Sequence, residues 1–343
     1  MRAGRTAMDF PDQEAVHRLR LASGLHRVSR RSFLIASAFA LATSADLLAT
    51  RRLQAERSEA RILVLEDEAA RRRFPRSSWV LFPGYKTSWE EGLWIMNSLR
   101  PALTRRGQLA VAGYSNRGLD LGNLADVLRR HIEENDLHRL YFYGHSFGGM
   151  VAVEMAARLQ AGGTGVELIL MDSTPYSRLD VIDRTMFEGV VLSYEAGYQV
   201  PSVVRGGYEL GERIVNKHER SWRTVIEQSM EQLSPLAVSS TLIQSESAYI
   251  YHFEGRRFAS RLGKTKIAWM GNPADKTVNY STARRSWLVN FKDNFLTNEL
   301  VTTGARPAHA SPQWNPAVYQ PLIQKLEDTY FPVPSFGGMR RPV

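Results

Sequence analysis

The 343-residue chain contains no cysteine. Disulfides, cysteine nucleophiles and thiolate metal sites are therefore excluded, and an oxidising compartment is permitted without being indicated. Long apolar runs are scarce as well. Ser32 to Ala45 is uncharged over 14 residues, and extending it to Thr50 takes in Asp46. That is borderline for a bilayer core, which needs about 20 residues. Acidic charge is in deficit: 44 Lys plus Arg against 35 Asp plus Glu leaves +9. Residues 1–76 hold 15 Arg and 9 acidic residues, so +6 of that excess lies at the front. No aromatics interleave with these arginines as on a nucleic-acid surface, so the basic front reads as the flank of an export or membrane signal and not as a nucleic-acid site. The length suits one large α/β domain or two smaller ones.

What is present centres on residues 139–160, RLYFYGHSFGGMVAVEMAARLQ. The apolar, aromatic run Leu140–Tyr143 reads as a buried strand. Gly144-His145-Ser146-Phe147-Gly148-Gly149 reads as a tight turn, after which Met150, Val151, Val153, Met155 and Ala156 fall at helical spacing. A serine at such a corner sits in strained backbone. A Cβ on Gly144 or Gly148 would strike the neighbouring strand or helix. The turn lifts the hydroxyl clear of the sheet and points the first free amides of the helix toward it. The plainer alternative is a Gly-rich turn whose serine caps the helix.

A G-x-S-x-G in the order strand, turn, helix resembles the nucleophile elbow of the α/β-hydrolase superfamily. The resemblance implies an α/β fold with a mostly parallel sheet flanked by helices, and Ser146 as nucleophile. It extends along the chain. Ser78-Trp79-Val80-Leu81-Phe82 reads as a buried strand ended by Pro83-Gly84-Tyr85. In the superfamily the loop after this strand supplies one backbone donor of the oxyanion hole. Many members carry His-Gly where this chain has Pro83-Gly84, and a plain strand-ending turn is the alternative. By position the two donors are the amides of Tyr85 and Phe147.

Lys266–Met270 reads as a later strand, leading into Gly271-Asn272-Pro273-Ala274-Asp275-Lys276-Thr277-Val278. That G-x-x-x-D-x-x-V pattern is similar to the superfamily's acid turn, in which Asp275 would orient a histidine and stabilise its imidazolium. Asp172, after the strand Val166–Met171, is the rival, since some relatives carry the acid one strand earlier. Of eight histidines, His309 alone follows the acid in a loop past a late strand (Leu300–Thr303) and before a closing helix (Pro316 to about Glu327). The order Ser146, Asp275, His309 is that of the superfamily. His145 adjoins the serine, but a tight elbow points it elsewhere.

Ile62–Leu65 and Leu109–Tyr114 read as further strands and Leu121–Ile132 as a helix, with Trp89 and Trp94 on a helix turned toward the core. Strands alternating with helices imply parallel pairing through right-handed crossovers, and ligands beyond the carboxyl ends of the strands. Tyr85, Ser146, Asp172 and Asp275 should then share one rim. Residues 60–175 and 265–343 are read as the hydrolase core. Residues 176–264 are read as a helical cap inserted before the acid-bearing strand, with helices near 179–193, 207–231 and 242–252. Gly206-Gly207 is its hinge, and Tyr194, Tyr198 and Trp222 are pocket candidates. Extra helices beside the core are the alternative.

Residues 1–31 read as a disordered basic terminus and 51–61 as a polar linker. In 32–50, an Ala-rich run preceded by Arg30-Arg31 and Phe33-Leu34 resembles a bacterial twin-arginine export signal or a membrane anchor, which implies a cell-envelope location. A transmembrane helix reached by another route, or an amphipathic helix on a cytoplasmic enzyme, are the alternatives.

The expected activity is hydrolysis of a carboxylic ester, a small molecule or a lipid, through an acyl-enzyme and without metal or cofactor. Lipase, amidase, acyltransferase, thioesterase or perhydrolase chemistry on the same triad stays open. So does a membrane-tethered, inactive hydrolase-like binding protein. The oligomeric state is not legible.

Overall fold

Apolar runs bounded by turn residues form the strands, and mixed stretches between them form helices. In chain order these are β1 (Arg61–Leu65), α1 (Glu68–Arg73), β2 (Ser77–Phe82), α2 (Trp89–Ser98), α3 (Arg100–Leu103), β3 (Gln108–Gly113), α4 (Leu121–Glu134), β4 (Arg139–His145), α5 (Gly148–Ala161), β5 (Leu168–Asp172), α6 (Ser240–His252), β6 (Lys266–Gly271), α7 (Tyr280–Asn290), β7 (Leu300–Val301) and α8 (Pro316–Tyr330). The computed structural model of the protein describes residues 56–182 and 238–331, all within the second of two units, 54–343. The readings for 1–31, 32–50, Tyr194, Tyr198, Gly206-Gly207, Trp222 and 207–231 lie outside the described residues.

Local chemistry sets the helix starts. Ser88, Asp120, Ser239 and Asn279 each accept a hydrogen bond from an amide in the first turn of α2, α4, α6 and α7. This satisfies donors that the helix itself leaves unpaired.

The seven strands lie in the order β1-β3-β2-β4-β5-β6-β7. Neighbours from β3 to β7 are parallel, and β1 runs antiparallel to β3. The strand–helix rhythm implied parallel pairing. β1 departs from it because no crossover joins it directly to β3, so nothing fixes its direction. After β3 the chain crosses β2 to reach β4, which reverses the direction of winding.

The central strands are buried on both faces, so they read as continuous apolar runs. Alternate residues still enter different cores. Val80, Phe82, Phe142, Ile169 and Trp269 join α4, α5, α6 and α7. Trp79, Leu81, Tyr143, Leu170 and Met270 join α2, α3 and α8. α5 is apolar nearly all round, as a helix enclosed by the sheet and its neighbours must be.

One tryptophan differs from expectation. Trp94 is 39% exposed, because the buried stripe of α2 is Gly92, Ile95 and Met96. Its ring meets Trp314 edge-on, centroids 4.6 Å apart. Trp89, half-buried, donates its indole N–H to the Tyr114 carbonyl at 2.9 Å.

Of the stretch read as a cap, 176–264, residues 176–182 and 238–264 are described, and both parts are tied to the core. On one side Val181 bridges Val278, and the Ile182 amide donates to Thr277 at 3.0 Å. On the other, the Ser239 hydroxyl donates to the Asn116 carbonyl. α6 then lays Leu242, Ile243 and Ile250 into the core that contains α5. Among the described residues no helix is long and apolar enough to cross a membrane.

Candidate active site

β4 delivers Ser146 to the corner before α5. The serine has φ 50°, a left-handed conformation that costs a non-glycine residue of order 1–3 kcal/mol. The Ser146 amide donates to the Asp172 carbonyl on β5 at 2.8 Å, which ties the strained residue to the neighbouring strand. The flanking glycines are required by contact. A Cβ on Gly148 would lie 1.9 Å from the Phe82 carbonyl oxygen, and one on Gly144 would lie 2.3 Å from the Gly149 Cα. α5 therefore presses directly against β2 and β4, and its N-terminus is held beside the Ser146 hydroxyl.

Asp275 is positioned by its own turn. Its Oδ1 accepts from the amides of Thr277 at 2.8 Å and Val278 at 3.0 Å. Oδ2 is left to accept from His309 Nδ1 at 2.7 Å. The Asp275 side chain is 2% exposed and that of His309 21%. Burial pushes the Asp275 carboxyl up, but the charge and hydrogen bond of His309 and the amides of Val278 and Thr277 outweigh it, holding the group below its ordinary value.

The loop bearing His309 is tied at three points. Asn315 Oδ1 accepts from the Arg306 amide at 3.1 Å, and its Nδ2 donates to the Ser311 carbonyl at 3.0 Å. The Ser311 amide donates to the Tyr319 hydroxyl at 2.9 Å. His145 Nε2 donates to the Ala310 carbonyl at 2.7 Å, so the residue before the serine clamps the loop of the second histidine. Burial pulls the His145 imidazole down to about 4, which keeps it neutral in this role.

These supports bring three residues from separate strand ends into one chain. Ser146 Oγ lies 2.8 Å from His309 Nε2. A carboxylate cannot donate, so His309 Nδ1–H points at Asp275 and Nε2 is the acceptor for the serine hydroxyl. A hydroxyl so placed can give up its proton as its oxygen attacks an electrophile, and the carboxylate stabilises the resulting imidazolium.

Asp172 lies on the same rim but apart from this chain. Its Oδ2 accepts from the Tyr143 hydroxyl at 2.8 Å, while Oδ1 is buried without a partner. Burial pushes this carboxyl up to about 7, against the opposing pull of Tyr143 and His309.

Tyr85 follows Pro83-Gly84 past β2, and Phe147 immediately precedes α5. Among the described residues the Phe147 amide makes no hydrogen bond. The loop around Tyr85 is gripped by residues that sequence reasoning missed. The Tyr114 hydroxyl donates to the Pro83 carbonyl at 3.2 Å. From α6, the Ser247 hydroxyl donates to the Tyr85 hydroxyl at 2.8 Å, and Glu246 Oε2 accepts from the Lys86 amide at 3.1 Å. A signal for Glu246 existed: it stands four residues after Leu242 and four before Ile250, on the apolar stripe of its helix.

A Thioesterase domain family model matches residues 94–186, a span that includes Ser146 and Asp172 but not Asp275 or His309. No curated protein matches the chain. Several solved structures do. A hydrolase from Pseudomonas aeruginosa PA01 has a TM-score of 0.54 at 14% identity, covering 78% of this chain and 92% of that one. The enol-lactonase from Burkholderia xenovorans LB400 has a TM-score of 0.55 at 12% identity, covering 78% and 95%. A hydrolase from Oleispira antarctica has a TM-score of 0.52 at 12% identity, covering 80% and 95%. With the mostly parallel seven-stranded sheet between two helical layers, these likenesses identify the α/β-hydrolase fold.

Proposed function

We propose that this α/β-hydrolase-fold chain is a serine hydrolase of carboxylic esters. The reading rests on one observation, the hydrogen-bond chain Ser146–His309–Asp275 with links of 2.8 and 2.7 Å. His309 takes the hydroxyl proton as Ser146 Oγ bonds to the ester carbonyl carbon. The carbonyl oxygen becomes an oxyanion facing the amides of Phe147 and Tyr85. The tetrahedral adduct collapses, the carbon–oxygen bond to the alcohol breaks, and His309 gives that alcohol the proton. Water, deprotonated by His309, then attacks the acyl-serine and releases the acid. The esterase reading is supported by the fold shared with hydrolases and an enol-lactonase, although a fold by itself does not choose a reaction.

The decisive experiment is Ser146→Ala with short p-nitrophenyl esters. Turnover should drop by about 10⁴-fold or more, in the range seen when a triad nucleophile is removed. Undiminished turnover in the purified variant sinks the reading.

A second reading is favoured by the Thioesterase family match over residues 94–186. On it the same steps release a thiol in place of an alcohol. The ratio of kcat/KM for an acyl thioester and the matching oxygen ester, measured on one preparation, separates the two. The basic front and the Ala-rich run within 32–50 support export to, or anchoring at, a bacterial cell envelope. Mass spectrometry of the N-terminus after expression in a bacterial host tests this; an uncut chain found only in the cytoplasm removes it.

A further inference from the structure

Glu246 is an uncommon residue to find where it sits. Its relative exposure is 0%. One carboxyl oxygen accepts from the Lys86 amide, and the other, Oε1, is buried without a hydrogen-bond partner. The basic group whose charge acts on it is Lys86. An acidic side chain buried in this way is costly, and packing alone would be served better by leucine. The Lys86 it holds has φ 62°, a left-handed conformation, and lies one residue past Tyr85. An acceptor aimed at this amide fixes the plane of the peptide that joins Tyr85 to Lys86. Ser247, the next residue of α6, fixes the Tyr85 side chain from the same helix.

We propose that Glu246 is a positioning residue for the oxyanion hole: from α6 it holds the Lys86 amide, and thereby sets the direction of the Tyr85 amide beside Ser146. The proposal rests on the serine-hydrolase reading above and adds a part to it. It also gives α6 a purpose beyond covering the core, because the helix that follows the 183–237 segment carries both side chains that grip the loop.

The charge state of Glu246 matters to this role. An anion bonded to the Lys86 amide, one residue from the Tyr85 donor, would oppose an oxyanion developing there, whereas a neutral acid would not. Burial pushes the carboxyl up to about 8, with the Lys86 amide and the Lys86 charge pulling the other way. The titratable groups around it are Lys86 and Tyr85 on the loop, Tyr114 past β3, and Tyr249 one turn along α6. Burial holds the hydroxyls of Tyr114 and Tyr249 well above their ordinary value, so both stay neutral. At neutral pH the acid keeps its proton and its carbonyl oxygen accepts from Lys86. Above about pH 8 it ionises, one residue from Tyr85.

The test uses the full chain and p-nitrophenyl acetate, with Ser146→Ala as the control. Glu246→Leu fills the same space without an acceptor. Its kcat should fall at least tenfold while KM stays within threefold. Glu246→Gln keeps an acceptor and no ionisable group, so its kcat should stay within threefold of wild type at pH 7 and lack the wild-type decline above pH 8. A Glu246→Leu variant with wild-type kcat, or one that changes only KM, overturns the proposal. Should Glu246→Leu not fold, the pH profile of Glu246→Gln decides: an unchanged alkaline decline overturns the proposal, and loss of that decline sustains it. Wild-type turnover that does not depend on Ser146 would instead remove the hydrolase reading itself, so the two failures are distinct.

Discussion

Two aspartates stand at the carboxyl ends of neighbouring parallel strands, and they are chemically different. Asp172 ends β5, and Asp275 follows β6 by one turn. Both are nearly sealed from water. Asp275 meets an imidazole and two amides, and its carboxyl lies below the ordinary range. Among the described residues Asp172 meets tyrosine hydroxyls, Tyr143 at 2.8 Å and Tyr319 more weakly, and no cation in contact, and burial pushes it up to about 7. Burial acts on both in the same direction; the count and charge of the partners decide which one stays ionised. On one rim the fold thus offers a permanent anion, fit to stabilise an imidazolium, and a near-neutral acid that is not.

The sharpest way to break this contrast is Asp275→Asn. Loss of the carboxylate should lower kcat by about 10³–10⁴-fold with small esters, the scale on which a triad acid acts. A loss under tenfold would mean that Asp172 takes over His309, and the distinction would vanish. A smaller effect is expected in stability. Asp172 ionises near 3.8 when unfolded and near 7 when folded. Between those values the native chain holds a proton that the unfolded chain has released, so stability falls as pH rises through that window and stays reduced above it. Relative to wild type, Asp172→Asn should therefore gain roughly 2–4 kcal/mol between pH 4 and pH 8 in urea titrations, given about 1.4 kcal/mol per unit. A pH-independent difference would show that Asp172 is not raised. Asp275 has the opposite sign: its contribution is present above 3.8 and lost as pH falls below it. The smallest effect expected is on turnover by Asp172→Asn, with kcat within about threefold of wild type at pH 7.

Much of the frame was legible because its causes are local. The apolar runs at 78–82, 140–143 and 266–270 form β2, β4 and β6 wherever their partners lie. The clash that forbids a Cβ at Gly148 follows from a strand turning into a helix within a few residues. The chain order of serine, aspartate and histidine pointed to three residues that are linked through His309 by two hydrogen bonds. What was not legible depends on distant neighbours. The direction of β1 is set by no crossover. Trp94 turns outward onto Trp314, 220 positions further along the sequence. The place of Glu246 on an apolar stripe hints at burial, but its partner Lys86, 160 positions away, is supplied only by the fold. The difference between Asp172 and Asp275 also arises only after folding, since both are simply aspartates that follow apolar strands.

The anchored flanks at Val181–Ile182 and Ser239 have an engineering consequence. Each is fastened to a different part of the scaffold, one to the acid turn through Thr277 and Val278 and the other to Asn116. Entry and exit are thus secured independently of whatever lies between them. Substitutions at Val181 or at Ser239 should accordingly release one anchor at a time and leave the other in place.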